Sequence, residues 1–302
     1  MRPRVTSLVG NEGRYGLVHC CAICLIYVGS VQGCRTLVRP SSRNAPRQIA
    51  ARAVALVLVC SVSWLPLWVT LRRAKRADGD SLASETLLRL GIKSSGILRG
   101  VAFAELSAVA LLLAPAIERV GEALQRCRGR QRAGAGWPAL WEGGSALEFA
   151  RDVVFSPITE EFCFRGCMCS LLVAEGYGVF AVFAVTSLLF GLAHTHHLIE
   201  FLSPGRLERG ASHRQRRGAL GKAVAETGVQ VGFTTLFGLY ACRIFLHTGS
   251  LAACILAHMT ANFLGPPDFE SIASSPRYAA STFLGLLLFG LLVFQGVPEP
   301  LP

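Results

Sequence analysis

Long apolar stretches, separated by polar connectors, dominate the chain. A helix needs about 20 apolar residues to cross the roughly 30 Å hydrocarbon core of a bilayer. The pattern therefore predicts an all-α, polytopic transmembrane bundle of about eight spans, some of them short, tilted or broken. The predicted spans cover residues 16–31, 49–71, 97–117, 147–173, 178–201, 223–246, 250–264 and 278–297.

The amino-terminal region combines one short apolar run with many arginines. That run has the length of a signal peptide, but no small-x-small cleavage site follows it before the next spans, so a first span is preferred. We expect residues 1–52 to form an amino-terminal region with this span, partly disordered. Residues 53–302 are expected to form the transmembrane domain. Basic connectors fall on both sides of any simple alternation, so the positive-inside rule does not fix the orientation.

Composition supports the membrane assignment. Charged residues make up 16% of the chain, against about 25% in soluble proteins. The net charge of +11 lies mostly between the apolar stretches, as expected for loops beside anionic lipid headgroups. No nucleic-acid-binding motif accompanies it, so nucleic acid is not a predicted partner. The 11 cysteines form no paired CxxC arrangement and are interpreted as small apolar fillers.

Polar residues interrupt the apolar stretches at three places, and such groups usually face the interior of a bundle. The first interruption begins with Ser156 and Pro157, which either start a helix or kink a longer one. Glu161 and Arg165 are four apart and can pair on one helix face. Glu160 is then the freer carboxylate and a candidate general base. Taken alone, this motif is better explained as a Glu–Arg pair at a membrane boundary.

The other two interruptions contain histidines. Phe190 and His194 are four apart and share a helix face, and His197 is three residues further on. His197 is equally explained as a histidine that reaches toward the headgroups. His258 and Asn262 are one turn apart and can present hydrogen-bond donors to one point, as an oxyanion site requires. Taken alone, that pair is better explained as a hydrogen bond between helices.

Together, the three interruptions supply the parts of a peptide hydrolase. They offer a base, a histidine and a donor pair for developing negative charge. The chain has no serine or cysteine in an obvious nucleophile setting and no HExxH motif. Water is therefore the predicted nucleophile.

The motifs EExxxR at 160–165, FxxxH at 190–194 and HxxxN at 258–262 resemble those of the CaaX protease and bacteriocin-processing superfamily. They stand in the order of that superfamily. The segments FGLAHTHHLIE and LFGLYACRIFLHTGSLAACILAHMTANFLG resemble its eukaryotic branch, the type II CaaX prenyl endopeptidases. The resemblance covers roughly residues 147–267, the motif core.

The resemblance implies an all-helical bundle with an intramembrane catalytic cavity, located in the endoplasmic reticulum membrane. Its implied activity is removal of the terminal aaX tripeptide from farnesylated or geranylgeranylated CaaX proteins, such as Ras-like small GTPases. A prenyl chain partitions into lipid, so an enzyme within the bilayer can hold it sideways between helices.

The resemblance also implies a role for each motif residue. Glu160 and His194 would activate the attacking water, and His258 and Asn262 would stabilise the oxyanion. The supporting residues would be Glu161, Arg165, Phe190 and His197. No metal or cofactor is expected; in the alternative, zinc would be held by Glu160, His194, His197 and His258.

Three other functions are compatible with parts of the pattern. The first is a protease for a different membrane substrate. The second is a non-catalytic membrane scaffold with a relic site. The third is a transporter with buried Glu and His as a proton relay, but matching inverted repeats are not found in the sequence.

Overall fold

The computed structural model describes residues 15–38, 43–74, 81–128, 144–195 and 213–294. These ranges contain helices and no β-strand, which confirms the all-α prediction. In chain order the helices are α1 (Gly16–Leu37), α2 (Pro46–Ser63), α3 (Leu65–Ala74), α4 (Leu82–Arg89), α5 (Ile97–Leu111), α6 (Leu113–Cys127), α7 (residues 146–174), α8 (Val179–Ala193), α9 (His213–Thr248), α10 (Leu251–Leu264), α11 (Phe269–Ser274) and α12 (Pro276–Val293).

Fewer helices qualify as membrane spans than the sequence predicted. Among the described residues, four segments are long and apolar enough to cross a bilayer, or five if the bent pair α5 and α6 counts as one span. The helices α8 and α10 are apolar but have only 15 and 14 residues. The prediction of about eight spans is therefore not confirmed. The four long segments are Gly16–Cys34, Pro46–Ala74, Arg217–Thr248 and Pro276–Val293.

The stretch 97–117 was predicted as one span, but the structure bends it by 89° between α5 and α6. The break lies at Leu112, whose backbone leaves the helical region. Pro115 follows at the third position of α6. A proline ring clashes with the carbonyl four residues earlier, here that of Leu111, and supplies no N–H to it. A straight helix through this point is therefore disfavoured.

Helix α7 is the central element. It contacts α1, α2, α3, α8, α9 and α10. Its side chains Cys167, Met168 and Leu172 are at most 1% exposed. The cysteines of α7 are free thiols buried in this core, as expected for small apolar fillers. A helix surrounded on all sides can fix polar groups rigidly, and α7 carries the EExxxR motif.

Two stretches of α7, residues 150–155 and 162–169, are π-helical. The helix is continuous through Ser156 and Pro157, so the interpretation of Ser156 as a helix N-cap is wrong and Pro157 lies inside a longer helix. Proline lacks the N–H that would bond to the carbonyl four residues earlier. Stretches of π-helix are frequent at functional sites, and these two flank the residues 156–161.

Small residues bring α8 and α9 into close contact. A Cβ atom at Gly191 would meet the side chain of Thr235 and would lie 3.0 Å from the carbonyl oxygen of Val231. A Cβ atom at Gly238 would lie 3.0 Å from the Cα atom of Ser187. Such small-residue contacts are typical of helix packing within membranes. They set the distance between the FxxxH motif on α8 and the wall formed by α9.

The predicted boundary after residue 52 falls inside α2. Residues 1–14 of the predicted amino-terminal region lie outside the described ranges.

Candidate active site

A buried cluster of three polar side chains, Glu161, Arg165 and His258, joins α7 to α10. Glu161 and Arg165 are 0% and 1% exposed, and Arg165 Nε lies 3.2 Å from Glu161 Oε2. The carboxylate also accepts a hydrogen bond of 2.7 Å from His258 Nδ1. Arg165 donates to the carbonyl oxygen of Gly238 on α9 at 3.3 Å. The i, i+4 spacing predicted the first of these pairs, and the tertiary fold adds the other two.

Glu160 points in a different direction from its neighbour. Consecutive helical side chains diverge by about 100°, and Glu160 lies in the wall of a cavity with 18% of its side chain exposed. His258 Nε2 lies 4.0 Å from Glu160 Oε2. The imidazole of His258 therefore stands between the two carboxylates, with Nδ1 bound to Glu161 and Nε2 directed toward Glu160.

His194 caps the carboxyl end of α8. Its Nδ1 atom lies 2.8 Å from the carbonyl oxygen of Phe190. Because a carbonyl oxygen can only accept, Nδ1 carries the proton in this bond. In the neutral imidazole, Nε2 then carries the lone pair. A histidine in this tautomer can accept a proton from water or orient it.

The ring of Phe190 packs against charged and aromatic side chains of the site. Its side chain is 1% exposed. The guanidinium carbon of Arg165 lies 4.3 Å from the ring centroid, a cation–π distance. The rings of His194 and His258 lie 5.1 and 6.0 Å from the same centroid. Phe190 thus packs against members of all three motifs, which the sequence spacing did not reveal.

Asn262 is fixed by the backbone of α7. Its Nδ2 atom donates to the carbonyl oxygen of Asp152 at 2.8 Å. That carbonyl belongs to the first π-helical stretch of α7. An amide nitrogen carries two hydrogens, so this bond engages one of the two donors of Asn262.

One cavity of about 2130 Å³ connects these groups. Glu160, His194, His258 and Asn262 all line it. Glu161 and Arg165 are not among the lining residues; they lie behind Glu160 in the protein interior. Phe190, predicted as a supporting residue, lines the cavity as well. His197, predicted as a further supporting residue, lies outside the described residues.

The remaining walls of the cavity are mainly apolar. Aromatic and aliphatic side chains come from α8, α9 and α12. Arg43, Arg52 and Arg151, from the region of α2 and the start of α7, also line the cavity, as does Arg243 of α9. Sequence reasoning missed these arginines as site residues. Arg43 and Arg52 lie in an arginine-rich connector that was assigned to lipid headgroups, and Arg151 lies in the span predicted over residues 147–173.

Within the part of the chain that the structure describes, no three His, Cys, Asp or Glu side chains are grouped as ligands of a metal ion. His197, one of the four side chains of the zinc alternative, is not described.

Comparison with known proteins points to one family. The profile of the Rce1-like family, described as type II CAAX prenyl endopeptidase, matches residues 142–264. This range contains α7 to α10 and therefore all three motifs.

Curated relatives carry the same description. The chain is similar to CAAX prenyl protease 2 of Homo sapiens, with 28% identity over 99% of this chain and 87% of the relative. CAAX prenyl protease 2 of Arabidopsis thaliana is 32% identical over 50% of this chain and 44% of that protein. The probable CAAX prenyl protease 2 of Schizosaccharomyces pombe is 33% identical over 48% and 49%, respectively. No solved structure matches the chain.

Proposed function

We propose that this chain, which belongs to the Rce1-like type II CAAX prenyl endopeptidases, removes the terminal aaX tripeptide from prenylated CaaX proteins within a membrane. One observation carries the proposal. Glu160 from α7, His194 from α8 and the pair His258 and Asn262 from α10 line a single, largely apolar cavity. A prenylated peptide needs an apolar enclosure for its lipid and polar groups for its scissile bond.

In the proposed reaction a water molecule is the nucleophile. Glu160 removes a proton from this water, and the Nε2 lone pair of His194 orients it. The hydroxide adds to the carbonyl carbon of the prenylated cysteine. When the tetrahedral intermediate collapses, the C–N bond to the next residue breaks and the proton passes from Glu160 to the leaving amine. The products are a new carboxylate on the cysteine and a free tripeptide.

His258 and Asn262 would stabilise the negative oxygen of the tetrahedral intermediate. The Nδ1 proton of His258 is engaged by Glu161, so His258 donates to substrate from Nε2 only as an imidazolium. With His258 in its charged form, the positive charges of His258 and Arg165 balance the negative charges of Glu160 and Glu161. Asn262 would contribute its second amide N–H. Preorganised donors of this kind contribute about 10²–10³ in kcat.

The proposal extends to class, substrate and location. The peptidase would be of the glutamate type, with no metal cofactor. Its substrates would include Ras-like small GTPases, and it would act as a multi-pass protein of the endoplasmic reticulum membrane. The family membership supports a peptidase that acts on prenylated CaaX proteins, and the apolar helices support a location in a membrane.

The test measures tripeptide release from a farnesylated CaaX peptide, in membranes that lack their own CaaX endopeptidase. We expect wild-type protein to release the tripeptide and Glu160→Gln and His194→Gln to lose at least 10²-fold in kcat, as is typical for a lost acid–base group. Glu118→Gln, an exposed carboxylate on α6, is the control for the first variant.

His19 is the matched control for His194. Its Nδ1 atom lies 2.8 Å from the carbonyl oxygen four residues earlier, the same local bond that His194 makes, but it does not line the cavity. His19→Gln should retain activity. Full activity of Glu160→Gln would rule out the proposed base. Wild-type protein that cleaves only non-prenylated membrane peptides would support a different protease. Wild-type protein that binds but cleaves nothing would support the scaffold.

A chelator tests the zinc alternative in the same assay. We expect tripeptide release to continue at an unchanged rate after the membranes are treated with a strong zinc chelator. Loss of activity that returns on adding zinc would replace the metal-independent mechanism.

A further inference from the structure

Pro157 lies at the point where the backbone of α7 changes its hydrogen-bond pattern. The residue before it, Ser156, donates its N–H to the carbonyl oxygen of Arg151, five residues earlier, at the end of the first π-helical stretch. Continued by one residue, this pattern would direct the N–H of residue 157 to the carbonyl oxygen of Asp152. Proline has no N–H. The carbonyl group of Asp152 therefore lacks the helical donor that the π-helical pattern would supply.

A side chain from α10 takes the place of this missing donor. Asn262 Nδ2 donates to the carbonyl oxygen of Asp152 at 2.8 Å, and α10 contacts residues 150–155 of α7. Pro157 is buried, so a backbone N–H at its position would be shielded from water and would need a carbonyl acceptor within the helix. That N–H and the amide of Asn262 would compete for the same oxygen.

The bond to Asp152 fixes which end of the Asn262 amide faces the cavity. An asparagine amide has a nitrogen that donates two hydrogen bonds and an oxygen that only accepts. Only the nitrogen can bond to a carbonyl oxygen, so the bond excludes the flipped amide. In the flipped orientation the amide oxygen would stand where the second N–H is required, and it would repel the negative oxygen of the tetrahedral intermediate.

We propose that Pro157 is a positioning residue for hydrolysis. Because it omits one backbone N–H, it leaves the carbonyl group of Asp152 available to orient the amide of Asn262. Pro157 itself does not line the cavity, so it acts on the reaction through these two residues. This inference rests on the proposed function and deepens it, because it assigns the orientation of the oxyanion donor to a residue outside the three motifs.

The experiment restores the missing N–H and measures tripeptide release from the farnesylated CaaX peptide. Pro157→Ala should lower kcat by on the order of 10- to 100-fold, because a small misplacement of a catalytic group costs up to about 10²-fold. KM should change little, since the donor acts in the transition state. The thermal midpoint should equal or exceed that of wild type, because alanine is favoured over proline in a helix interior.

A double-mutant cycle shows whether the proline acts through Asn262. Asn262→Ala has no amide left to orient, so adding Pro157→Ala to it should lower kcat by no more than roughly a further twofold. Pro66→Ala is the matched control for the loss of a proline. Pro66 lies in α3, within another long apolar segment, and does not line the cavity. Its substitution should leave kcat unchanged.

A second variant covers the case in which Pro157→Ala does not accumulate in membranes. Pro157→Val restores the same N–H with a bulkier side chain and should also lower kcat at constant KM. If neither variant accumulates while Pro66→Ala does, the proline is required for folding, and the positioning role is overturned.

The outcomes separate this inference from the function on which it rests. Wild-type protein that releases no tripeptide overturns the proposed function. Wild-type protein that releases it, together with an unchanged kcat in Pro157→Ala, keeps the function and overturns the positioning role. A loss of kcat that is equally large with and without Asn262 also overturns that role. A loss confined to protein that carries Asn262 supports it.

Discussion

Glu160 and Glu161 are adjacent in the chain but have different surroundings. Glu161 is fully buried between Arg165 and His258, whereas Glu160 faces the cavity. Because consecutive side chains on a helix point about 100° apart, the two carboxylates face different surroundings. Substitution of Glu161 should therefore affect mainly stability, and substitution of Glu160 should affect mainly turnover.

Glu161→Gln should destabilise the protein by about 3–5 kcal/mol, because it leaves the buried charge of Arg165 without its anion. The expected readout is a lower thermal midpoint in detergent and less protein in membranes. Glu160→Gln, made in parallel, should keep the wild-type midpoint.

A double substitution separates charge from packing. Glu161→Leu combined with Arg165→Met removes both charges and should be more stable than either single variant, because no buried charge remains unpaired. Single variants that unfold at the wild-type temperature would show that the pair does not stabilise the fold.

Asn262 contributes at the residue scale through its amide. Asn262→Ala should lower kcat by about 10²–10³ while KM changes little, if its N–H stabilises the transition state. Steady-state kinetics on the farnesylated peptide provide the measurement. A rise in KM at constant kcat would instead indicate a role in ground-state binding.

At the scale of elements, the contact of α8 with α9 determines where His194 stands. Gly191→Ala should cost about 1–3 kcal/mol, because the added methyl group overpacks the contact with Thr235 and Val231. Gly228→Ala on α9 is the control, since a Cβ atom there meets nothing within 4 Å. It should be neutral or stabilise by up to about 1 kcal/mol. Equal effects of the two substitutions on the thermal midpoint would contradict this account of the packing.

At the scale of the whole molecule, α6 and α12 both expose apolar side chains but differ in composition. Helix α12 has apolar residues around most of its circumference. Helix α6 carries one exposed apolar stripe of Ile117, Val120 and Leu124 beside Glu118 and Arg119. That pattern is typical of a helix lying in a membrane interface.

A matched pair of charge insertions distinguishes these two environments. Leu287→Arg on α12, at a site 62% exposed, should cost about 2.5–3.5 kcal/mol of insertion free energy and reduce the membrane-inserted protein. Leu124→Arg on α6, at a site 51% exposed, should be tolerated because an arginine at an interface reaches water. Protease protection in microsomes provides the measurement, with Leu287→Ala as the size control. Equal loss of insertion would place α6 in the hydrocarbon core.

Much of the fold could be predicted because burial in lipid demands long apolar runs, and these are visible in sequence. The bend at Leu112 was not predicted. Pro115 lies near the end of the apolar stretch 97–117, and apolar content alone does not reveal a bend. The predicted count of about eight spans is not confirmed among the described residues, because the apolar helices α8 and α10 have only 15 and 14 residues and are too short by themselves to cross a bilayer.

Sequence alone determined which residues could react and which of them share a helix face. Spacing of four residues on one helix fixes the pairs Glu161 with Arg165 and Phe190 with His194, because local geometry is set by the helix itself. Only the tertiary structure decided what lies between helices. It placed His258 between two carboxylates, bound Asn262 to the backbone of α7 and brought Arg52 into the cavity of Glu160. Those contacts depend on how separate helices pack, and the positions of small residues and bends, rather than spacing along one helix, govern that packing.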